Sequence, residues 1–164
     1  PNSTPYMQIP FQFSVHIWRD PQSDKLEHVE FLHDQDTDPR PDLIPQLIKA
    51  CGTEGSIVAY YQKFEKARIQ ELADFSFLDH DALMALHARV VDPLPIFQKH
   101  VYFPEFKGSF SLKSVAPAIL GQDFSYEGME VADGTAAQRA FEQLINPSTR
   151  VEAKAKLKAA MLEY

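Results

Sequence analysis

Glu65 is the residue in this chain best placed to do chemistry. It lies after the apolar run Ser56-Ile57-Val58-Ala59-Tyr60, which reads as a strand, and the connection Tyr61-Gln62-Lys63. A predicted helix starts at Phe64-Glu65. That places a carboxylate at a strand-to-helix junction, beside the carboxyl end of a strand, where open α/β sheets gather ligands and metals. The ordinary alternative is a helix-start glutamate, favoured by the helix dipole and paired with Arg68 three residues on. Against that, Glu65, Ile69, Leu72 and Ala73 share one helical stripe, so Glu65 opens a row that otherwise faces inward. One carboxylate is half a site, and the other half must come from elsewhere.

The remaining candidates are weaker. Ser111 stands at a predicted helix start in Gly108-Ser109-Phe110-Ser111-Leu112-Lys113, and Lys113 could touch a phosphate there; a capped helix with a surface lysine is the plain reading. Asp34-x-Asp36-x-Asp38 invites a calcium loop but places Pro39 where glycine is needed and Pro45 where glutamate is needed. It reads as a solvated acidic loop. The histidines His16, His28, His33, His80, His87 and His100 show no metal-ligand spacing with a second His or Cys. Cys51 has nothing nearby in sequence to lower its pKa and reads as filler. Lys154, Lys156 and Lys158 read as a solvated helix face. There is no nucleophile elbow and no phosphate-binding glycine loop.

These residues need a scaffold. Residues 9–18 alternate Phe11, Phe13, Val15 and Ile17 against Gln12, Ser14, His16 and Trp18, a strand with one buried face. After turn residues 19–24, residues 26–32 form a second strand, with Leu26, His28 and Glu30 on one face and Val29 and Phe31 on the other. The two are expected to pair as an antiparallel hairpin. Asp42 is expected to cap a short helix carrying Leu43, Ile44, Leu47 and Ile48, with Pro45 in its first turn and Cys51-Gly52 at its end. Residues 55–60 are a continuous apolar run, so a central buried strand.

Helices are predicted over 64–73, 81–89, 112–120, from Asp133-Gly134 to Ile145, and from about Thr149 onward. Pro117 is expected to end or kink the third of these. Val90-Val91-Asp92 reads as a short strand ending in an acid. Residues 93–110, rich in proline and aromatics, read as a lid or packing loop. On the last helix Ala153, Leu157, Ala160, Met161 and Tyr164 form one stripe. The order is that of an α/β fold, a mixed sheet with helices packed on it.

The 164 residues suit one domain with a real core. A net charge of −7 argues against a general nucleic-acid coat protein, although a metal-dependent nuclease survives that objection. The single cysteine allows no internal disulfide and fits a reducing, cytoplasmic setting. No apolar run is long enough to span a bilayer, so no membrane partner is expected. The chain opens without an initiator methionine and stops at Leu162-Glu163-Tyr164 inside a helical pattern, and is expected to be part of a longer protein.

Taken together, Ile9-Pro10-Phe11-Gln12-Phe13-Ser14, Tyr60-Tyr61-Gln62-Lys63-Phe64-Glu65, Glu71-Leu72-Ala73, Gly108-Ser109-Phe110-Ser111-Leu112-Lys113 and Asp133-Gly134 resemble an uncharacterised bacterial domain family. That family occurs in long proteins described as predicted RecB-type nucleases with an added ribonuclease H-like domain. The domain is in turn similar to the DnaQ-like exonucleases, which use four acidic residues. The resemblance runs across nearly the whole chain and implies a single ribonuclease H-like domain over 1–164, incomplete at both termini and lacking its first strand. Phe64-Glu65 then matches the end of the second exonuclease motif, with Glu in place of Asp. Tyr61 stands where that superfamily usually has Asn.

The first motif, Asp-x-Glu, is implied before Pro1. Tyr164 stands at the tyrosine of the third motif, whose aspartate is implied beyond it. The two hairpin strands become the second and third of the sheet. The resemblance implies a 3′–5′ exonuclease-like activity on DNA or RNA with Mg²⁺ or Mn²⁺. It makes Glu65 the metal ligand and catalytic acidic residue, and it puts Tyr61, Ser111 and Lys113 in contact with substrate. Two-metal cleavage needs several carboxylates, so residues 1–164 alone are expected to be inactive. The competing expectation is a non-catalytic ribonuclease H-like module that binds nucleic acid or protein.

Overall fold

The computed structural model of the chain describes residues 7–20, 22–125, 131 and 134–163. Two strands come first, β1 (Gln12–Ile17) and β2 (Glu27–Leu32). They pair antiparallel with Phe13 opposite Phe31, Val15 opposite Val29 and His16 opposite His28. The alternation expected from sequence holds: Phe13, Val15 and Ile17 are half-buried while Ser14 and His16 are exposed. The connection is held by Asp20, whose carboxylate accepts the Gln22 N–H at 2.9 Å, and by the Trp18 indole N–H donating to the Ser23 carbonyl at 2.7 Å.

The first helix, α1 (Arg40–Cys51), begins two residues before Asp42. Asp38, not Asp42, satisfies its start: Asp38 Oδ1 accepts the Arg40 N–H at 3.0 Å. Pro41 occupies the first turn and Pro45 lies inside the helix, one turn later than expected. The Arg40 guanidinium is buried, bonds Asp38 at 2.5–3.1 Å, and lies 3.8 Å over the Phe75 ring. An arginine with both a carboxylate and an aromatic face can be buried at modest cost.

Strand β3 (Ile57–Val58) comes next and pairs parallel with β4 (Val90–Val91). Between them run α2 (Lys63–Phe75) and α3 (His80–Arg89). The expectation of a central buried strand over 55–60 is corrected here. Only two residues form ladder bonds, their partner is β4 and not the hairpin, and Val58 is 70% exposed. A continuous apolar run marks a buried strand only when layers cover both faces, and the face that Val58 presents is open.

One core gathers Leu43 and Ile44 of α1, Ile69, Leu72 and Ala73 of α2, Leu83 and Leu86 of α3, and Val90, with Phe13, Phe31 and Ile57 packed against it. Both small sheets therefore meet the same helices. Each fully buried aliphatic chain here contributes roughly 1.5–3 kcal/mol.

The segment 93–110 forms α4 (Leu94–His100) and a 3₁₀ turn, Pro104–Phe106. Phe106 is fully buried, with Tyr102, Phe103 and Phe110 around its ring at centroid distances of 5.8, 5.6 and 5.9 Å. That is a packing cluster, which settles the lid-or-packing alternative on the packing side. Helix α5 has the expected bounds, Leu112–Leu120, and continues past Pro117.

Helices α6 (Gly134–Ile145) and α7 (Val151–Glu163) form a second core with Ala140, Leu144, Ala160 and Met161 at its centre. Phe11 stacks on Phe141 at 4.1 Å, which joins this core to the segment leading into β1. Of the expected α7 stripe, Leu157, Ala160 and Met161 face the core and Ala153 is exposed. Asp133 and Tyr164 lie outside the described residues. Among the described residues the chain is thus α/β, with seven α-helices and two two-stranded sheets. No helix among them is long and apolar enough to cross a membrane.

Candidate functional site

The carboxyl ends of β3 and β4 lie side by side because the two strands run parallel. Beyond β3 the chain passes through Tyr60 and Tyr61 into α2, and beyond β4 it passes through Asp92 into α4. The Ala59 N–H still bonds the Val91 carbonyl at 3.0 Å. At Tyr61 the backbone turns left-handed, with φ at 64°. Asp92 holds that turn: its Oδ1 accepts the Tyr61 N–H at 3.0 Å and its Oδ2 the Gln62 N–H at 3.1 Å. Oδ1 also accepts the Leu94 N–H at 2.9 Å, at the start of α4. Burial works against ionising Asp92, but these three N–H bonds outweigh it and hold the carboxyl below its usual range.

Glu65 sits one turn into α2 from this clamp, partly buried. Its Oε2 is buried and accepts no hydrogen bond from the protein. Burial raises its pKa above the ordinary value; its own backbone N–H works the other way, and the Asp92 charge adds to the rise. The alternative pairing with Arg68 does not form. Arg68 instead bonds Glu71 at 2.6 Å and Gln8, and its guanidinium lies 5.4 Å from the Phe64 ring centroid. Its Nε is likewise buried without a partner. The helix therefore carries two unsatisfied buried polar atoms one turn apart, a costly arrangement unless something else meets them.

The other predicted residues fall in two places. Tyr61 is at the turn itself, with 54% of its surface exposed. Ser111 precedes α5, and its hydroxyl lies among those of Ser109 and Ser114 at 3.2 and 3.1 Å. The two segments are tethered: the Tyr60 hydroxyl donates to the Phe110 carbonyl at 2.6 Å. This brings the residue before Ser111 to the residue before Tyr61, a proximity invisible in sequence. Lys113 is exposed in the first turn of α5.

Sequence reasoning reads Asp92 only as the acid that ends a short strand; its oxygens are engaged by backbone. It misses the use of Asp92 as the clamp on Tyr61. The only local signal is an acid immediately before Pro93 at a helix start.

Nearby, Arg89 fixes the loop entering β3. It donates to the carbonyls of Cys51, Gly52, Glu54 and Gly55. Cys51 is half-buried there, and burial pushes its thiol pKa up more than the Arg89 charge lowers it. An un-ionised thiol is a poor nucleophile.

Chemically, the crevice offers one free carboxylate oxygen, an exposed aromatic and an adjoining run of hydroxyls. Among the described residues no group of three or more His, Cys, Asp or Glu side chains is arranged to hold a metal ion. Glu65 fits the part of a single ligand, since a cation would satisfy its buried oxygen. A complete two-metal set is not present among these residues.

A family model described as a domain of unknown function, DUF2779, matches residues 1–111. No curated protein and no solved structure matches the chain.

Proposed function

The chain belongs to the DUF2779 family, and from its own residues we propose that it forms the central part of a metal-dependent nuclease domain of ribonuclease H-like type. Its substrate would be DNA or RNA and its reaction phosphodiester hydrolysis, 3′–5′ exonuclease-like. Glu65 would ligate Mg²⁺ or Mn²⁺ in this reading. Further carboxylates, beyond those of the described residues, would have to join it, because one glutamate cannot hold two ions and Mg²⁺ binds a lone carboxylate weakly.

The observation that carries the reading is Glu65 Oε2, a buried carboxylate oxygen without a partner at the carboxyl end of a parallel strand pair. The sheet arrangement supports it. An antiparallel hairpin and a parallel pair meet the same helices, and neither is hydrogen-bonded to the other. A further strand between them would make one mixed sheet. Tyr61, exposed at the turn, would stack on a base, and Ser111 and Lys113 would meet the phosphate backbone. When bound, the metal would supply activated water and charge neutralisation. The residues seen here would position one ligand and the strand end beside it.

The test is Glu65→Gln in the complete protein, assayed on single-stranded DNA and RNA with Mg²⁺ or Mn²⁺. Metal-dependent cleavage is expected to be lost, and unchanged cleavage would remove Glu65 from the site.

A second reading has its own observation. Asp92, the other acid at these strand ends, spends both oxygens on backbone N–H groups. A fold that uses its acids to brace a turn suits a non-catalytic ribonuclease H-like module that binds nucleic acid or protein. Binding of single strands that does not change on adding EDTA, with no cleavage by the complete protein, would favour that module.

A further inference from the structure

The packing cluster between β4 and α5 leaves part of its aromatic surface open. Phe106 is fully buried at its centre, but two of the rings around it still face solvent: Tyr102 is 60% exposed and Phe103 42%. The cluster reaches the strand ends described above. The Tyr102 and Phe110 ring centroids are 6.3 Å apart, and the Phe110 carbonyl accepts the hydroxyl of Tyr60, the neighbour of Tyr61. The exposed rings of Tyr61, Tyr102 and Phe103 are thus joined by one run of contacts.

The charge around these rings is unlike that of the whole chain. The chain carries −7, but residues 93–113 hold Lys99, Lys107 and Lys113 against the single acid Glu105, an excess of two positive charges. All three lysines are exposed. The backbone adds a second sign. Among the described residues, the non-glycine positions with positive φ are Tyr61 at 64° and Lys107 at 51°. Glycine suits such a backbone better, and side chains kept there cluster at binding sites. Here the two side chains are an exposed ring and an exposed ammonium.

We propose that this patch is a track for single-stranded nucleic acid leading to Tyr61, with bases stacking on Tyr102 and Phe103 and phosphates meeting Lys99 and Lys107. It rests on the nucleic-acid substrate of the reading above and extends the contact from one turn to a surface. The chemistry fits single strands: rings stack on unpaired bases, and lysines follow a phosphate backbone without reading its sequence. Binding there requires neither a metal nor Glu65.

The experiment is fluorescence anisotropy of labelled oligothymidylate mixed with the chain in EDTA, over a range of salt concentrations. Saturable binding is expected, with a duplex and an abasic strand of the same length both bound more weakly. Tyr102→Ala should weaken it about fivefold or more, and Tyr102→Phe should keep the parent affinity. Lys99→Gln and Lys107→Gln should each reduce the slope of log affinity against log salt by about 0.7. Both lysines are exposed, so these variants keep the circular dichroism of the parent and test the track even if Tyr102→Ala unfolds. No binding by the parent, equal binding of the abasic strand or the duplex, or a salt slope unchanged in the Lys99→Gln/Lys107→Gln double variant overturns the proposal. Cleavage by the complete protein is a separate readout. Its loss in Glu65→Gln with no strand binding by the chain would remove the track and leave the nuclease reading standing.

Discussion

Asp92 Oδ1 accepts the backbone N–H of Tyr61 at 3.0 Å, so the end of β4 fixes the turn through which β3 enters α2. With the bonds to Gln62 and Leu94, one carboxylate braces two strand ends and two helix starts. This sets the position of Glu65, since the first turn of α2 starts where Asp92 holds it.

Replacing Asp92 with alanine should therefore destabilise the chain by about 1–2 kcal/mol, as loss of a helix-start acceptor does. The pH dependence has a definite sign. Asp92 is held below its unfolded pKa, so its contribution is present above the unfolded value and fades as pH falls through the folded one. Chemical denaturation of Asp92→Ala and its parent at neutral and at acid pH checks this. The gap between them should narrow toward acid.

Glu65 should behave in the opposite sense. Its pKa is raised chiefly by burial, so its ionisation at neutral pH costs stability. Without added metal, Glu65→Gln should raise the melting temperature near neutral pH. The gain should vanish below the unfolded carboxyl range, where the parent is protonated in both states. Melting curves in EDTA across that range test the point. An equal gain at every pH would mean that ionisation is not the cause.

Tyr61 should tolerate glycine better than a β-branched residue. Its φ of 64° costs an L-residue roughly 1 kcal/mol, which glycine does not incur. Tyr61→Gly should leave stability within about 1 kcal/mol of the parent, and Tyr61→Val should lower it further. If the exposed ring stacks on bases, Tyr61→Gly should also weaken single-stranded DNA binding while Tyr61→Phe preserves it. Fluorescence anisotropy with a labelled oligonucleotide separates the two effects.

Arg89→Lys should not rescue Arg89→Ala. The guanidinium reaches four carbonyls between Cys51 and Gly55, a fork that an ammonium cannot copy. Both variants should lose about 1–3 kcal/mol. Both should also speed the reaction of Cys51 with a thiol reagent, because the loop that shelters it is released. Rates of thiol labelling beside urea denaturation curves give both readouts.

Much of the short-range periodicity is legible along the chain. The two-residue alternation of Phe13, Val15 and Ile17 gave the hairpin, and the helical spacing of Ile69, Leu72 and Ala73 gave the buried face of α2 with Glu65 at its head. Pairing between distant segments is not written there. The partner of β3, the exposure of Val58, the tether from Tyr60 to Phe110 and the stacking of His16 on His28 all depend on register and on which layer covers which face. Even the local pair Glu65 and Arg68 went that way. Helical spacing allows it, but Glu71 and Gln8 compete for the guanidinium, and burial leaves Glu65 Oε2 alone. Periodicity is a property of neighbours along the chain, whereas partners and burial are settled when distant segments close on one another.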